Sequence, residues 1–304
     1  MIVYKNLNIK KNHKNSVIAI GNFDGLHLGH QKVLKEAKQK AKRNNLKFGL
    51  ITFEPAPTLF FNKKIKNHRI NSVKQKIYYL KKLELDFLII INFNQSFSNI
   101  SAEDFIKKIL VNKLKSKYIF ISQNFKFGKK RLGKANTLKS FEKKYLYKTI
   151  VTHPYKKKNK TISSSLIRKI ISTGNVQEAK KLLGRPWSVE GEVVRGEQRG
   201  RKIGFPTCNI KLNSYTLPKL GVYSVGIQTN KFKKRGIANI GYRPTFNGKS
   251  LLLEVNIFGI KTNLYKKILK VSFTKFIRAE KKFKNINELK RQIKKDIARA
   301  KNNV

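Results

Sequence analysis

The stretch Val17-Ile18-Ala19-Ile20-Gly21-Asn22-Phe23-Asp24-Gly25-Leu26-His27-Leu28-Gly29-His30 decides how the first half of the chain is read. Its first four residues form an apolar run of strand length. Beyond it Val33, Leu34, Ala37 and Ala41 recur at helical spacing, so the residues between are a strand-to-helix turn. Such a turn lies at the carboxyl end of its strand, where the first free amides of the helix carry partial positive charge and suit phosphate oxygens. Gly21, Gly25 and Gly29 let the backbone bend and a ligand come close. His27 and His30, three apart, share a face at the helix start and can donate to a phosphoryl group gaining negative charge. A bare pair of histidines at this spacing reads equally as metal ligands or as a structural feature. Three glycines and Asp24 around the pair favour the phosphate reading.

Outward from that turn, strand and helix signals alternate. Phe48 to Phe53 reads as a strand stopped by Glu54-Pro55-Ala56-Pro57, and Phe87 to Ile91 and Tyr118 to Ser122 as two more. Ser101 and Asp104 open an amphipathic helix carrying Phe105, Ile106, Ile109, Leu110 and Leu114. Alternation of this kind predicts a parallel sheet covered on both faces, with ligands beyond the carboxyl ends of its strands. The loop Ser122-Gln123-Asn124-Phe125-Lys126-Phe127-Gly128 falls at such an end. Ile162-Ser163-Ser164-Ser165-Leu166-Ile167-Arg168 opens a further helix, whose hydroxyls and Arg168 can hold phosphate or can simply cap it.

The pattern changes after a short helix over Asn175 to Leu183, which Gly184-Arg185-Pro186-Trp187 ends. Ser188 to Arg195, Val222 to Gln228, Gly236 to Ile240, Leu251 to Phe258 and Ile268 to Phe276 are short β-rich runs, predicting a small closed barrel or a sandwich. Ile286, Leu289, Ile293 and Ile297 lie on one face of a terminal helix opened by Asn285 and Glu288. Within this half, Gly196-Glu197-Gln198-Arg199-Gly200-Arg201-Lys202-Ile203-Gly204-Phe205-Pro206-Thr207-Cys208-Asn209 interleaves glycines with basic residues, as a loop over a polyphosphate does. It lacks the Gly-Lys-Ser/Thr ending of a Walker loop. In extended backbone Thr207 and Asn209 face the same way, which suits a hard cation that keeps some waters. A basic turn beside a polar strand face is the plain alternative.

Composition sets limits. The 304 residues suffice for about two domains. A single cysteine, Cys208, excludes an internal disulfide and a cysteine-rich zinc site. No apolar segment reaches the roughly 18 residues that span a bilayer, and Met-Ile-Val-Tyr-Lys-Asn is no export leader, so a cytoplasmic protein without membrane contact is expected. Lys and Arg number 69 against 16 acids, a formal charge of +53. The excess is spread over the whole chain with abundant Asn and Ile, which marks lysine as a filler of solvated positions. Affinity for nucleic acid is then a low-salt side effect and no cognate nucleic acid is expected.

Gly-Asn-Phe-Asp-Gly-x-His-x-Gly-His at 21–30 resembles the signature of the His-x-Gly-His nucleotidyltransferases. Specifically, it is similar to the prokaryotic bifunctional riboflavin kinase/FMN adenylyltransferase (FAD synthetase) family. The Ile-Ser-Ser run ending at Arg168 matches that family with Ser165 for Thr. Gly-Arg-x-x-Gly-Phe-Pro-Thr-x-Asn at 200–209 resembles its kinase signature, with Cys208 for Ala. Gly221-Val222-Tyr223, Asn239-Ile240-Gly241 and Arg243-Pro244-Thr245-Phe246 follow in the family's order, and Leu253-Glu254-Val255-Asn256 departs from it only at Asn256. The resemblance implies an α/β plus all-β chain: a Rossmann-like parallel-sheet nucleotidyltransferase domain, residues 1–183, then a small antiparallel β-barrel kinase domain with a C-terminal helix, residues 184–304.

By the same match, Gly21, Asn22, Phe23, Asp24, His27, Gly29 and His30, with Ser164 and Arg168, surround ATP, and His27, His30 and Arg168 are catalytic. Asn124, Phe125 and Phe127 take the flavin side. Gly196, Arg199, Gly200, Gly204, Phe205 and Pro206 hold the kinase ATP, Thr207 and Asn209 the Mg2+, and Glu254 is the general base. Riboflavin, FMN, FAD and ATP are the implied small molecules, and the chain is expected to be a monomer or weakly self-associating. Three departures stand out: Ala56 where the family often has His, Asn124 where Asp is common, and Arg195 where His is frequent. A chain active only as a kinase, another small-molecule nucleotidyltransferase in the first half, and a basic nucleic-acid binder with decayed motifs are the competing readings.

Overall fold

The computed structural model describes residues 1–157, 160–196, 198–212, 214–245, 248–260 and 262–302, with the side chains of Arg199 and of residues 243–250 outside the description. The chain divides into two compact units, Met1–Ile65 with Val73–Ser163, and Lys66–Ser72 with Ser164–Val304.

In the first unit, strands β1 (Ile2–Tyr4), β2 (Val17–Ile20), β3 (Phe48–Glu54), β4 (Phe87–Asn92), β5 (Tyr118–Ser122) and β6 (Lys148–Thr152) form a sheet in the order β1-β4-β3-β2-β5-β6. Every pairing in it is parallel. Successive β2 residues serve opposite cores: Ile18 and Ile20 pack with Ile51, Ile89 and Ile121, while Val17 and Ala19 pack with Leu34, Ala37 and Leu50. That division is why β2 and β3 are apolar nearly throughout. Helix α1 (Leu28–Arg43) follows β2 directly, α2 (Pro57–Phe61) follows β3, and α3 (Val73–Lys81) precedes β4. Because β2 lies between β3 and β5, its carboxyl end is the topological switch point of the sheet.

One element differs from the sequence expectation. The run expected as an α-helix is a short α-turn, Ala102–Asp104, continued as a π-helix, Phe105–Lys113. Phe105, Ile106, Ile109 and Leu110 are buried along it, and apolar spacing that buries this face does not distinguish the two windings.

The second unit holds β9 (Ser188–Val194), β10 (Cys208–Lys211), β11 (Gly221–Gln228), β12 (Lys233–Thr245), β13 (Gly248–Ile257) and β14 (Ile268–Arg278), numbered after a small hairpin of β7 (Lys156–Lys157) and β8 (Lys160–Thr161). They close an antiparallel barrel, β10-β13-β12-β11-β14-β9, deciding between barrel and sandwich. Ala238, Ile240, Leu253, Val255, Val271 and Phe273 are fully buried, and Trp187 stacks on Phe273 with ring centroids 4.7 Å apart. The helix Ile286–Asn302 packs Ile293 and Ile297 against Val222 and Ile237. Residues 66–72 join this unit through specific bonds: Trp187 Nε1 donates to the Ile70 carbonyl at 3.0 Å and Arg185 to Asn71 Oδ1 at 3.0 Å.

Candidate active sites

The turn after β2 is held in uncommon backbone. Phe23 and Leu26 have positive φ, 48° and 41°, as does Gly25 at 78°, and bulky residues enter that region only under constraint. His27 caps α1, its Nδ1 accepting the His30 amide at 3.3 Å. That bond leaves Nε2 of His27 to carry the proton. The His27 and His30 rings stack with centroids 3.6 Å apart and an interplanar angle of 19°. Burial, then the His27 ring, then the charge of Lys76 hold the His30 imidazole well below the ordinary histidine range. His30 Nδ1 is buried without a hydrogen-bond partner, the mark of an atom that awaits a ligand or water. Gly29 packs tightly on the pair, since a Cβ there would stand 3.2 Å from the His27 ring and push against it.

Beneath the turn lies a residue that sequence reasoning missed. Lys76, on α3, is 6% exposed, and its Nζ donates to the Asn22 carbonyl at 2.9 Å and to Thr52 Oγ1 at 3.3 Å. Nothing in the sequence separates it from the many solvated lysines. Beyond the carboxyl ends of β3 and β4, Phe60, Phe61 and Phe93 form edge-to-face contacts with centroids 5.1–5.8 Å apart, and Phe61 is 67% exposed. An open cavity of about 770 Å³ is lined by Asn124, Phe125, Lys126, Arg131, Lys134, Lys139 and His153. The aromatic Phe127, expected to face the flavin, is buried against Phe105 and stacks on Phe125. Its ring therefore backs Phe125 instead of lining the cavity. Ser164 and Arg168 belong to the second unit, Ser164 opening the helix Ser164–Ser172 and Arg168 Nε donating to the His68 carbonyl at 2.7 Å.

In the barrel, register brings Glu254 opposite Asn209 of β10 and opposite Asn239 of β12. Directly opposed residues share a sheet face, so one carboxylate sits between two amides. Glu254, Asn239, Asn256, Thr207 and Phe205 line a cavity of about 580 Å³ whose far wall is the terminal helix, through Ile286, Leu289 and Ile293. A second cavity, of about 370 Å³, is lined by Val193, Cys208, Val255, Ile257 and Tyr265, and Thr207 borders both. Asn256 Nδ2 donates to the Pro206 carbonyl at 2.8 Å, tying the loop before Thr207 to the strand that bears Glu254. A Cβ on Gly196 would lie 2.1 Å from Asn209 Nδ2, and one on Gly200 would lie 2.5 Å from the Phe205 carbonyl, so both glycines are needed for close packing. Gly204 has φ of 87°, a turn conformation. Pro206 is exposed. The Arg199 side chain and the end of the Arg243-to-Phe246 motif lie outside the described residues.

Two families match successive stretches of the chain. The FAD synthetase family matches residues 9–166 and the riboflavin kinase family residues 183–304. The chain belongs to the bifunctional riboflavin kinase/FMN adenylyltransferase family. It is 44% identical to the bifunctional riboflavin kinase/FMN adenylyltransferase of Buchnera aphidicola subsp. Schizaphis graminum, over 95% of this chain and 94% of the relative. It is 34% identical to that of Escherichia coli K12, over 92% and 90%. Among solved structures, one titled macrolide-efflux protein from Streptococcus pneumoniae superposes with a TM-score of 0.87 at 31% identity, covering 99% of this chain and 98% of that one. The likeness to that structure shows the fold, and membership of the bifunctional family carries the activities, riboflavin kinase and FMN adenylyltransferase. Among the described residues no helix is long and apolar enough to cross a membrane.

Proposed function

We propose that the two activities reside in separate sites, adenylyl transfer at the β2–α1 turn and phosphorylation at Glu254, with the catalytic domains dividing near residues 183 and 184. The observation that carries the reading is the pairing of two unlike constellations, the stacked His27/His30 pair at a sheet switch point and a carboxylate flanked by amides on a barrel wall.

At the first site a phosphate oxygen of FMN attacks the α-phosphorus of ATP, and the bond to pyrophosphate breaks. The chain holds two anions in line and meets the growing charge with outward amides and His27 Nε2–H, and no covalent enzyme intermediate is needed. Phe125, backed by Phe127, and the exposed Phe61 offer faces for the isoalloxazine ring.

At the second site the larger cavity takes riboflavin, because it is the one that contains Glu254, and the smaller takes the nucleotide, with transfer passing Thr207. Glu254 accepts the proton of the 5′-hydroxyl as that oxygen attacks the γ-phosphorus and ADP leaves. Among the described residues no cluster of three His, Cys, Asp or Glu could hold a metal. Thr207 and the buried Asn209 amide supply hard oxygen donors that fit Mg2+ when phosphates and water complete the shell. Bound there, Mg2+ would neutralise phosphate charge.

The test is incubation of the purified chain with riboflavin, and separately with FMN, in Mg2+ and ATP, with products separated by chromatography. Riboflavin gives FMN and then FAD, and FMN gives FAD. Conversion of riboflavin to FMN with no FAD from either substrate would leave a kinase alone.

A further inference from the structure

We propose that Lys76 is a positioning residue for adenylyl transfer. Its buried ammonium fixes the Asn22–Phe23 peptide with the carbonyl inward and the amide outward, and sets a positive charge beneath the His27/His30 pair. The inference rests on the reading of this site as the adenylyltransferase.

Lysine is among the residues least often buried, and a buried ammonium is costly unless it is hydrogen-bonded. Lys76 is 6% exposed, and its Nζ reaches the Asn22 carbonyl at 2.9 Å. Thr52, 1% exposed on the neighbouring strand β3, donates its Oγ1 to the same carbonyl at 3.1 Å. Two buried donors from different elements thus converge on one backbone oxygen. In a trans peptide the carbonyl and the following amide point in opposite directions. Pinning the Asn22 carbonyl toward Thr52 and Lys76 therefore turns the Phe23 N–H away from them. Among the described residues no backbone acceptor takes that N–H. It stands just past the carboxyl end of β2, where a phosphate is expected. Phe23 at a φ of 48° is a bulky residue in left-handed backbone, a conformation that persists only when its surroundings enforce it. Lys76 and Thr52 supply that enforcement.

Charge makes the second part of the case. Burial and mutual proximity keep His30 neutral, with the positive charge of Lys76 acting in the same direction. An imidazole held neutral, as at His30, donates a hydrogen bond without carrying charge, so Lys76 is the cation placed beside it. In a site shielded from water that charge counts for more than it would at the surface.

The experiment measures steady-state FAD formation from FMN and MgATP in the full chain, with riboflavin phosphorylation by the same preparation as the check on folding. For Lys76→Met, kcat for FAD is expected to fall about 100-fold, the scale of losing one preorganised donor. The KM for FMN should stay within about threefold, since an interaction made in the transition state appears in kcat. Lys76→Arg, which keeps the charge, should recover at least about a tenth of the parent kcat. Should Lys76→Met fail to fold, Lys76→Gln, which keeps a donor and removes the charge, replaces it. A kcat within about threefold of the parent for either neutral variant overturns the inference, as does a loss confined to KM. Absence of FAD formation by the unsubstituted chain would overturn the reading of the site itself, a separate result.

Discussion

His30 is the residue at which folding and chemistry press against each other. Its folded-state pKa is lowered well below 6.5, first by burial and then by His27 and Lys76. The unfolded chain therefore binds the proton more readily, and stability rises with pH through that window. The contribution is fully present above about pH 6.5 and is lost as pH falls toward the folded pKa. His13, whose pKa is lowered mainly by burial, adds a slope of the same sign. Denaturant midpoints measured between pH 5 and pH 8, values chosen to bracket the ordinary histidine pKa, should fall on the acid side. They should fall less steeply in His30→Gln, and equal slopes in the two proteins would contradict this account of His30.

At the kinase site, Asn256 makes the comparable case. Its amide holds the Pro206 carbonyl, so Asn256→Leu removes a bond worth about 1 kcal/mol and should raise the KM for MgATP about fivefold. Asn256→His, which can still donate, should stay near the parent. A rise in both variants alike would deny the bond its role. The histidines at 27 and 30 stood out in the sequence because motif glycines set them apart, whereas the carboxylate at 254 was singled out by the family resemblance and not by its own surroundings. Lys76 was not legible there, because one lysine among so many carries no signal until burial singles it out. Nor did the sequence show that Phe127 turns into the core, since alternation along a loop does not say which aromatic ring is covered.

Among the elements, the terminal helix decides more than its sequence suggests. Its apolar face was readable from Ile286, Leu289, Ile293 and Ile297, but the feature that locks it is polar. Asp296, 1% exposed, receives Arg278 Nε at 2.9 Å and Nη2 at 2.8 Å, and Gln292 Nε2 at 2.9 Å. Removing one partner of such a buried pair costs about 3–5 kcal/mol. Asp296→Ala should lower the urea midpoint of the barrel accordingly. Because the helix walls the larger cavity and not the smaller, the KM for riboflavin should rise more than that for ATP. An unchanged midpoint, or equal rises in both KM values, would remove the helix from the flavin site. Strands β12 and β13 run longer than their apolar cores indicated, since hairpin pairing carries them from Gly236–Ile257 to Thr245–Gly248. The π-helical winding of Phe105–Lys113 escaped the pattern because the buried face does not record it.

For the whole molecule, a formal charge of +53 predicts sequence-independent attraction to nucleic acid through counterion release. Binding of a short DNA duplex should be measurable at low salt and weaken by about 10³-fold or more between roughly 50 and 200 mM salt. FAD formation should be indifferent to added duplex at the upper end of that range. Tight binding that survived it would revive the nucleic-acid reading. The order of the two halves was legible because the hydrophobic period changes after Leu183, while the membership of residues 66–72 and of the helices within 164–183 in the second unit was not. Residues 66–72 are a short polar segment in the first half of the chain, and their bonds to Arg168, Arg185 and Trp187 reveal where they belong.

The central claim is that one polypeptide carries two independent phosphate-transfer sites. It is tested most directly by chromatographic product analysis of His30→Ala and Glu254→Gln, each supplied with riboflavin and, separately, with FMN. The account predicts that His30→Ala accumulates FMN and makes no FAD from either substrate, and that Glu254→Gln leaves riboflavin unchanged yet converts FMN to FAD. Loss of both conversions in each variant, with both proteins folded, would contradict it.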